Sequence, residues 1–264
     1  LLESIGKQDR TMAEHGLEDG PVVSIRIDLI DEAAMELWRA VARVADAFGE
    51  DRRWCLVGGL MVALFAIEAE QPQRSTTDID VLADTRARPS ATKWAAGRLE
   101  ALGATLHQAG AVGRERGFRF ELDGQVIDVL APDGLGRSGA TTTGKLKTIQ
   151  IPGGTQALQR VEVVEVVVDD RAVRLRRPRL IAAILLKARS LSVHSQPEDQ
   201  RHDLVTLLSL LDDPRSTRAE VTTKEIGWLR SISDRLVLED PSLVESFAPA
   251  RLRAARAAFR VLVQ

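Results

Sequence analysis

Aromatic residues and cysteine are both scarce in this chain of 264 residues, which holds no tyrosine, six phenylalanines, four tryptophans and a single cysteine. So few flat rings give poor support for the base-stacking platforms of single-strand-binding proteins. The lone thiol, Cys55, excludes an internal disulfide and falls in an apolar strand pattern, where packing is its expected role; a reducing, cytoplasmic compartment is compatible with it. No apolar run approaches the roughly 20 residues that span a bilayer, so no membrane partner is expected. Residues 1–20 are polar, lack a signal-peptide core and are expected to form a flexible segment. A marked excess of either charge is missing as well: 36 Lys and Arg face 38 Asp and Glu, a net charge of -2, which argues against a globally basic nucleic-acid binder. With 44% hydrophobic and 28% charged residues the composition is that of a globular protein, long enough for a sizeable core and two closely packed domains.

Charge is unevenly spread along the chain. Arg171, Arg174, Arg176, Arg177, Arg179, Lys187 and Arg189 follow one another with no acid between 171 and 190, and Arg251, Arg253, Arg256 and Arg260 form a second group on a helical pattern. Such groups can track a phosphate backbone with salt-dependent affinity. The alternative is a solvated face balanced by acids brought in from elsewhere.

Periodicity gives a coarse map. Leu37, Val41, Val44 and Phe48 recur at helical spacing within residues 31–48, and Trp54 to Val57 is a short apolar strand. Gly58-Gly59 reads as a tight turn, followed by an apolar helix over residues 60–67. Another helix is predicted over 91–102, and Asp123-Gly124 reads as a two-residue hairpin turn. Residues 132–154 read as a loop with some strand character close to the site, and 161–168 and 171–175 as strands. From Pro178, placed at a first helical position, the pattern turns helical. Ser195-Gln196-Pro197-Glu198 fits a capping box ahead of a helix that buries Leu204, Leu207, Leu208 and Leu211.

The chemistry concentrates on Asp78-Ile79-Asp80. Side chains two apart on a strand share a face, so Asp78 and Asp80 point the same way, and like charges that close repel unless a cation neutralises them. Oxygen-only ligands of this kind suit Mg²⁺ or Mn²⁺ with substrate phosphates completing the shell. Gly58 and Gly59 let backbone approach a ligand, and the amides at the following helix start favour an anion. Asp128, on the second strand of the predicted hairpin, adds an acid suited to a metal ligand or a general base. In the hairpin register it also lies opposite Arg119, where a cross-strand ion pair is the alternative. Arg74 and Ser75, just ahead of the carboxylates, are candidate phosphate contacts or an ordinary polar loop. Lys187 borders an apolar stripe and either snorkels to solvent or reaches the nucleotide; Asp203 needs a partner or hydration, and the two can meet.

A Gly-Gly turn, a helix and a strand bearing Asp78-Ile79-Asp80 resemble the nucleotidyltransferase fold of the DNA polymerase beta superfamily, with Leu60 standing where that superfamily often has serine. Leu185-Leu186-Lys187-Ala188-Arg189 with His202-Asp203-Leu204 resembles the lysine and aspartate motifs of AbiEii-like nucleotidyltransferase toxins of type IV toxin-antitoxin systems, and Gly153-Gly154-Thr155-Gln156-Ala157-Leu158 is similar to a segment of actinobacterial members. The resemblance spans roughly residues 30 to 211. It implies an α/β (α+β) fold, with a small mixed sheet flanked by helices in a catalytic domain of residues 21–176 and a helical C-terminal domain of residues 177–264. It further implies an NTP substrate, Mg²⁺ or Mn²⁺ on Asp78, Asp80 and Asp128, phosphate cradling by Gly58 and Gly59, and a nucleotide contact from Lys187. The late acid needed for activity is Asp203, with Asp199 as a rival. The acceptor implied is RNA, a tRNA 3′ end in particular, and the partner a cognate antitoxin. A small-molecule, aminoglycoside-type nucleotidyltransferase and a catalytically silent nucleotide- or partner-binding domain are the other readings.

Overall fold

A computed structural model describes residues 22–29, 31–107, 116–136, 140–193 and 197–264. Within these the elements run β1 (Ser24–Ile27), α1 (Glu32–Phe48), β2 (Trp54–Val57), α2 (Gly58–Glu68), β3 (Asp78–Ala83), α3 (Ala91–Ala101), β4 (Thr105–Leu106), β5 (Arg119–Leu122), β6 (Gln125–Pro132) and β7 (Gln150–Ile151). They continue through α4 (Gly154–Gln159), β8 (Val161–Val168), β9 (Arg171–Pro178), α5 (Leu180–Val193), α6 (Glu198–Ser209), α7 (Pro214–Ala219), α8 (Thr223–Ser231), α9 (Pro241–Ser246) and α10 (Pro249–Leu262). The fold is mixed α/β, with sheets flanked by helices, and none of the described helices is long and apolar enough to cross a membrane. The flexible segment expected over residues 1–20 lies outside the described residues.

The mixed sheet expected is present, and a second sheet stands beside it. One has the order β2-β3-β6-β5-β4 with β7 against the end of β6; the other is β1-β8-β9, in which β1 runs parallel to β8. The mixed character of the larger sheet comes from its centre, where β3 and β6 pair in parallel while β2 and β5 flank them antiparallel. The Asp123-Gly124 turn closes β5 onto β6 with φ of 51 and 81 at its two residues, the left-handed pair that a two-residue hairpin demands.

Helix α1 buries Leu37, Val41, Val44 and Phe48 against the sheets and is capped by Asp31, whose carboxylate accepts from the Ala33 amide at 3.0 Å. Helix α2 is apolar on every side, and Leu60 through Ala66 are all buried, as such a helix requires. Its Leu60, Ala63 and Leu64 face the sheet core, while Met61, Val62 and Phe65 join a second core built from α5, α6, α8, α9 and α10. Helix α2 is thus wedged between two cores. Its first turn includes Gly58 and Gly59, so the glycines begin the helix and do not precede it as a separate turn.

Pro178 ends β9, where it pairs with Val161, and is not the first residue of the following helix. A strand end accepts proline because no further ladder donor is needed there, and α5 begins at Leu180. The capping serine expected at Ser195, with Gln196, lies outside the described residues; α6 starts at Glu198 behind Pro197, with no side-chain cap bond.

Candidate functional site

Register places the acids. In the parallel pairing of β3 with β6, Asp80 is the partner of Asp128 and Asp78 that of Val126, so alternation along β3 turns Asp78 and Asp80 to the face that Asp128 also occupies. One carboxylate oxygen from each of the three lies within 4.8 Å of the others. They sit in a cleft of about 560 Å³ whose lining also includes Gly58, Gly59, Arg74, Ser75, Thr76 and Lys187.

The electrostatics record that crowding. Burial, then the Asp78 and Asp128 charges, push the Asp80 carboxyl up to about 7, against the opposing pull of Lys187 and Arg119. Arg119 grips Asp128 with Nε and Nη2, each donating at 2.8 Å, so the cross-strand ion pair and the acidic cluster are both real and share one carboxylate. A hard, oxygen-only triad whose mutual repulsion outweighs the pull of Lys187 and Arg119 at Asp80 fits Mg²⁺ or Mn²⁺. The donor set offers neither nitrogen nor sulfur for softer ions.

The start of α2 is cut to fit these acids. A Cβ on Gly58 would lie 1.8 Å from Asp80 Oδ2, and φ there is +72, so both space and backbone require glycine. At Gly59 a Cβ would meet Thr76 Oγ1 at 2.4 Å and Arg74 Nη2 at 3.3 Å. The polar segment ahead of β3 therefore lies directly on the helix start, and no side chain caps the amides there.

Lys187 and Asp203 do meet. Lys187 Nζ stands 2.7 Å from Asp203 Oδ2, and Arg74 donates to the same carboxylate through Nε at 2.7 Å and Nη2 at 3.0 Å. Asp203 is 0% exposed. Burial pushes its carboxyl upward, but the Lys187 charge and the Arg74 hydrogen bonds prevail and hold it below the usual carboxylate range. Lys187, 4% exposed, does not snorkel to solvent. Arg74 and Lys187 line the cleft; Asp203 does not, and stands behind them as their common anchor. Asp199, its rival, is exposed at the cleft wall with an oxygen 3.7 Å from Arg74 Nη1. Ser75 lines the cleft, and its carbonyl accepts from Arg74 Nη1 at 2.9 Å.

Thr76 and Gln200 escaped the sequence reading. Thr76 Oγ1 donates to Asp78 Oδ1 at 3.2 Å, and Lys187 Nζ lies 3.5 Å from Gln200 Oε1. Each had a local signal: Thr76 is two residues before Asp78 along the extended chain, and Gln200 is three before Asp203 on one helix face.

The basic run of residues 171–190 is not a free cationic surface. Arg171 pairs with Asp46, Arg174 with Glu50, Arg177 with Glu68 and Glu162, and Arg179 approaches Glu220 at 3.8 Å. In the C-terminal group Arg256 pairs with Glu239. Cys55 is fully buried, with its thiol pushed up to about 12 by desolvation, as a packing role requires.

Comparison with family models and with curated proteins finds no match to this chain. Among solved structures, the chain is similar to an antigenic nucleotidyltransferase-like protein from Paracoccidioides brasiliensis, at 16% identity and a TM-score of 0.43, over 83% of this chain and 93% of that one.

Proposed function

We propose that this chain is a metal-dependent nucleotidyltransferase of the nucleotidyltransferase fold, moving a nucleoside monophosphate from an NTP to an acceptor hydroxyl with release of pyrophosphate. The observation that carries the reading is the convergence of Asp78, Asp80 and Asp128 within 4.8 Å beside the uncapped start of α2. Mg²⁺ or Mn²⁺ held by these carboxylates would supply the charge neutralisation that phosphoryl transfer needs.

The remaining tasks fall to the chain itself. Backbone amides at Gly58 and Gly59 face the phosphates, as at other helix starts that bind anions. Lys187 and Arg74 add two positive charges to the same cleft, and Asp203 fixes where those charges stand. Two hydrogen bonds from Arg119 hold Asp128 in one orientation, the condition for a ligand or for a base that accepts the hydroxyl proton. Phe118, Leu130, Ile149, Ile151 and Leu186 provide an apolar wall that limits water at the reacting atoms.

We assign the acceptor as RNA, with a tRNA 3′ end the first candidate, and the cellular role as a toxin held in check by an antitoxin; the support is the pattern of lysine and aspartate motifs. A second reading, a small polycationic acceptor such as an aminoglycoside, is favoured by one feature. A neighbouring cavity of about 650 Å³ presents Asp28 and Asp31 and shares Arg74, Ser75, Thr76 and Thr77 with the cleft. Incubation with each labelled NTP, Mg²⁺ and total RNA, then with aminoglycosides, separates the two. Label is expected on tRNA and lost in Asp80→Ala; label on the drug supports the second reading. Absence of transfer to either acceptor refutes the enzyme.

A further inference from the structure

Which cations remain free to meet a polyanion is decided by ion pairing. Most cations of the 171–179 run are paired with acids from other elements, whereas three basic residues that are sparse in sequence, Arg116, Lys145 and Lys147, are not. All three are exposed, and among the described residues none has a carboxylate within ion-pair distance.

Their placement is specific. Arg116 and Lys147 are partners in a parallel bridge, and the Gly117 amide donates to the Lys147 carbonyl at 3.0 Å. A tight turn at residues 142–146, closed by the Thr142 amide donating to the Leu146 carbonyl at 2.9 Å, carries Lys145 at its tip. The two segments are locked together. Thr142 Oγ1 donates to the Gly117 carbonyl, and a Cβ on Gly117 would lie 2.6 Å from the Leu146 Cβ, so glycine is required for the approach.

From this pair both segments continue into the catalytic cleft. Phe118 and Arg119 follow Arg116, Ile149 and Ile151 follow Lys147, and all four line the cavity that holds the three aspartates. The Ala131 amide donates to the Ile149 carbonyl at 2.9 Å, fastening the second segment to β6, the strand of Asp128. At about 3.3 Å per extended residue, Arg116 stands roughly 10 Å along the chain from Arg119. That is about one Debye length at physiological salt, so the field of the strip reaches the cleft mouth.

We propose that Arg116, Lys145 and Lys147 form an entry strip for the phosphate backbone of the acceptor RNA, guiding its end along this paired wall to the carboxylates. The strip rests on the nucleotidyltransferase reading with an RNA acceptor, and names the surface that acceptor uses. Its chemistry is that of phosphate contacts, which position without reading bases.

The test uses the full chain carrying Arg116→Gln, Lys145→Gln and Lys147→Gln together, with binding of total tRNA measured over a potassium chloride series in the absence of NTP. The triple variant is expected to bind at least about 10-fold more weakly at 0.1 M salt, and its plot of log affinity against log salt to flatten by roughly 2 to 3, near 0.7 to 0.9 for each lost phosphate contact. Each single exchange should flatten it by about 1. Arg171→Gln with Arg174→Gln, which removes cations already paired with Asp46 and Glu50, should leave the slope unchanged. Equal slopes in parent and triple variant, an equal loss in the paired-arginine control, or no tRNA binding by the parent would each overturn the strip. Melting-temperature shifts with Mg²⁺ and ATP in the same proteins report on the nucleotide site separately. Their retention in the parent beside a failed strip leaves the transferase reading standing, and their absence from the parent counts against that reading itself.

Discussion

Replacing Gly58 by alanine tests the closest contact in the site. Two penalties add. A non-glycine residue at a φ of +72 costs about 1 to 2 kcal/mol. The new methyl would also lie 1.8 Å from Asp80 Oδ2, 2.7 Å from its Cγ and 2.9 Å from its Cβ, so turning the carboxylate away is not enough and α2 must separate from β3. Overpacking of that kind costs roughly 1 to 3 kcal/mol, giving about 2 to 5 kcal/mol in all. For a chain of this size that lowers the melting temperature by on the order of 10 °C. Displacing Asp80 by about 1 Å should also reduce nucleotidyl transfer on the order of 100-fold.

The contact is isolated by a double-mutant cycle. In an Asp80→Ala background the Cγ and Oδ2 clashes are gone, so Gly58→Ala should cost at least about 1 kcal/mol less than in the parent. Gly124→Ala is the control for backbone strain alone: φ is +81 there and nothing lies within 4 Å of an added Cβ, so its cost should stay near 1 to 2 kcal/mol with transfer unaffected. Urea unfolding of the four cycle members gives the coupling. A Gly58→Ala cost that is the same with and without the Asp80 side chain refutes the argument.

Two other outcomes follow from the charges. Because burial and the neighbouring acids push the Asp80 carboxyl up to about 7, its ionisation opposes folding of the metal-free protein; the cost is absent below the ordinary carboxylate value near 4 and complete above about 7. Stability contributed through this group therefore falls as pH rises between those values. Asp80→Asn should raise the melting temperature of the metal-free protein at pH 8 and leave it unchanged near pH 4, while Mg²⁺ should raise that of the parent more at pH 8 than at pH 6; a Mg²⁺ effect independent of pH contradicts this. Asp203→Ala strands Lys187 and Arg74 without their shared anion and should cost about 3 to 5 kcal/mol in urea unfolding. Adding Lys187→Met should recover part of that loss, and a double variant no more stable than Asp203→Ala would show that the stranded charge is not the cause. The depressed Asp203 carboxyl gives the opposite pH sign to Asp80: its contribution is present above the ordinary carboxylate value and fades as pH falls below it.

What the chain's sequence determined alone was whatever depends on neighbours a few residues away. Alternation turned Asp78 and Asp80 to one face, 3.6-residue spacing defined the buried stripe of α1, and Asp123-Gly124 set a left-handed turn that put Asp128 opposite Arg119. Local signals failed where two structures use the same residue, as at Pro178, equally suited to a helix start and to the strand end it occupies. Only the tertiary structure decided the rest. Parallel pairing of β3 with β6 brought Asp80 beside Asp128, and Arg74 reached an aspartate 129 residues away. Acids from α1, α2 and β8 paired with Arg171 and Arg177 in the arginine run that looked most like a polyanion surface, whereas Arg116, Lys145 and Lys147, on the segments leading to the cleft, have no ion pair among the described residues. Register and ion pairing between distant segments depend on how whole elements pack, and local spacing carries no record of that.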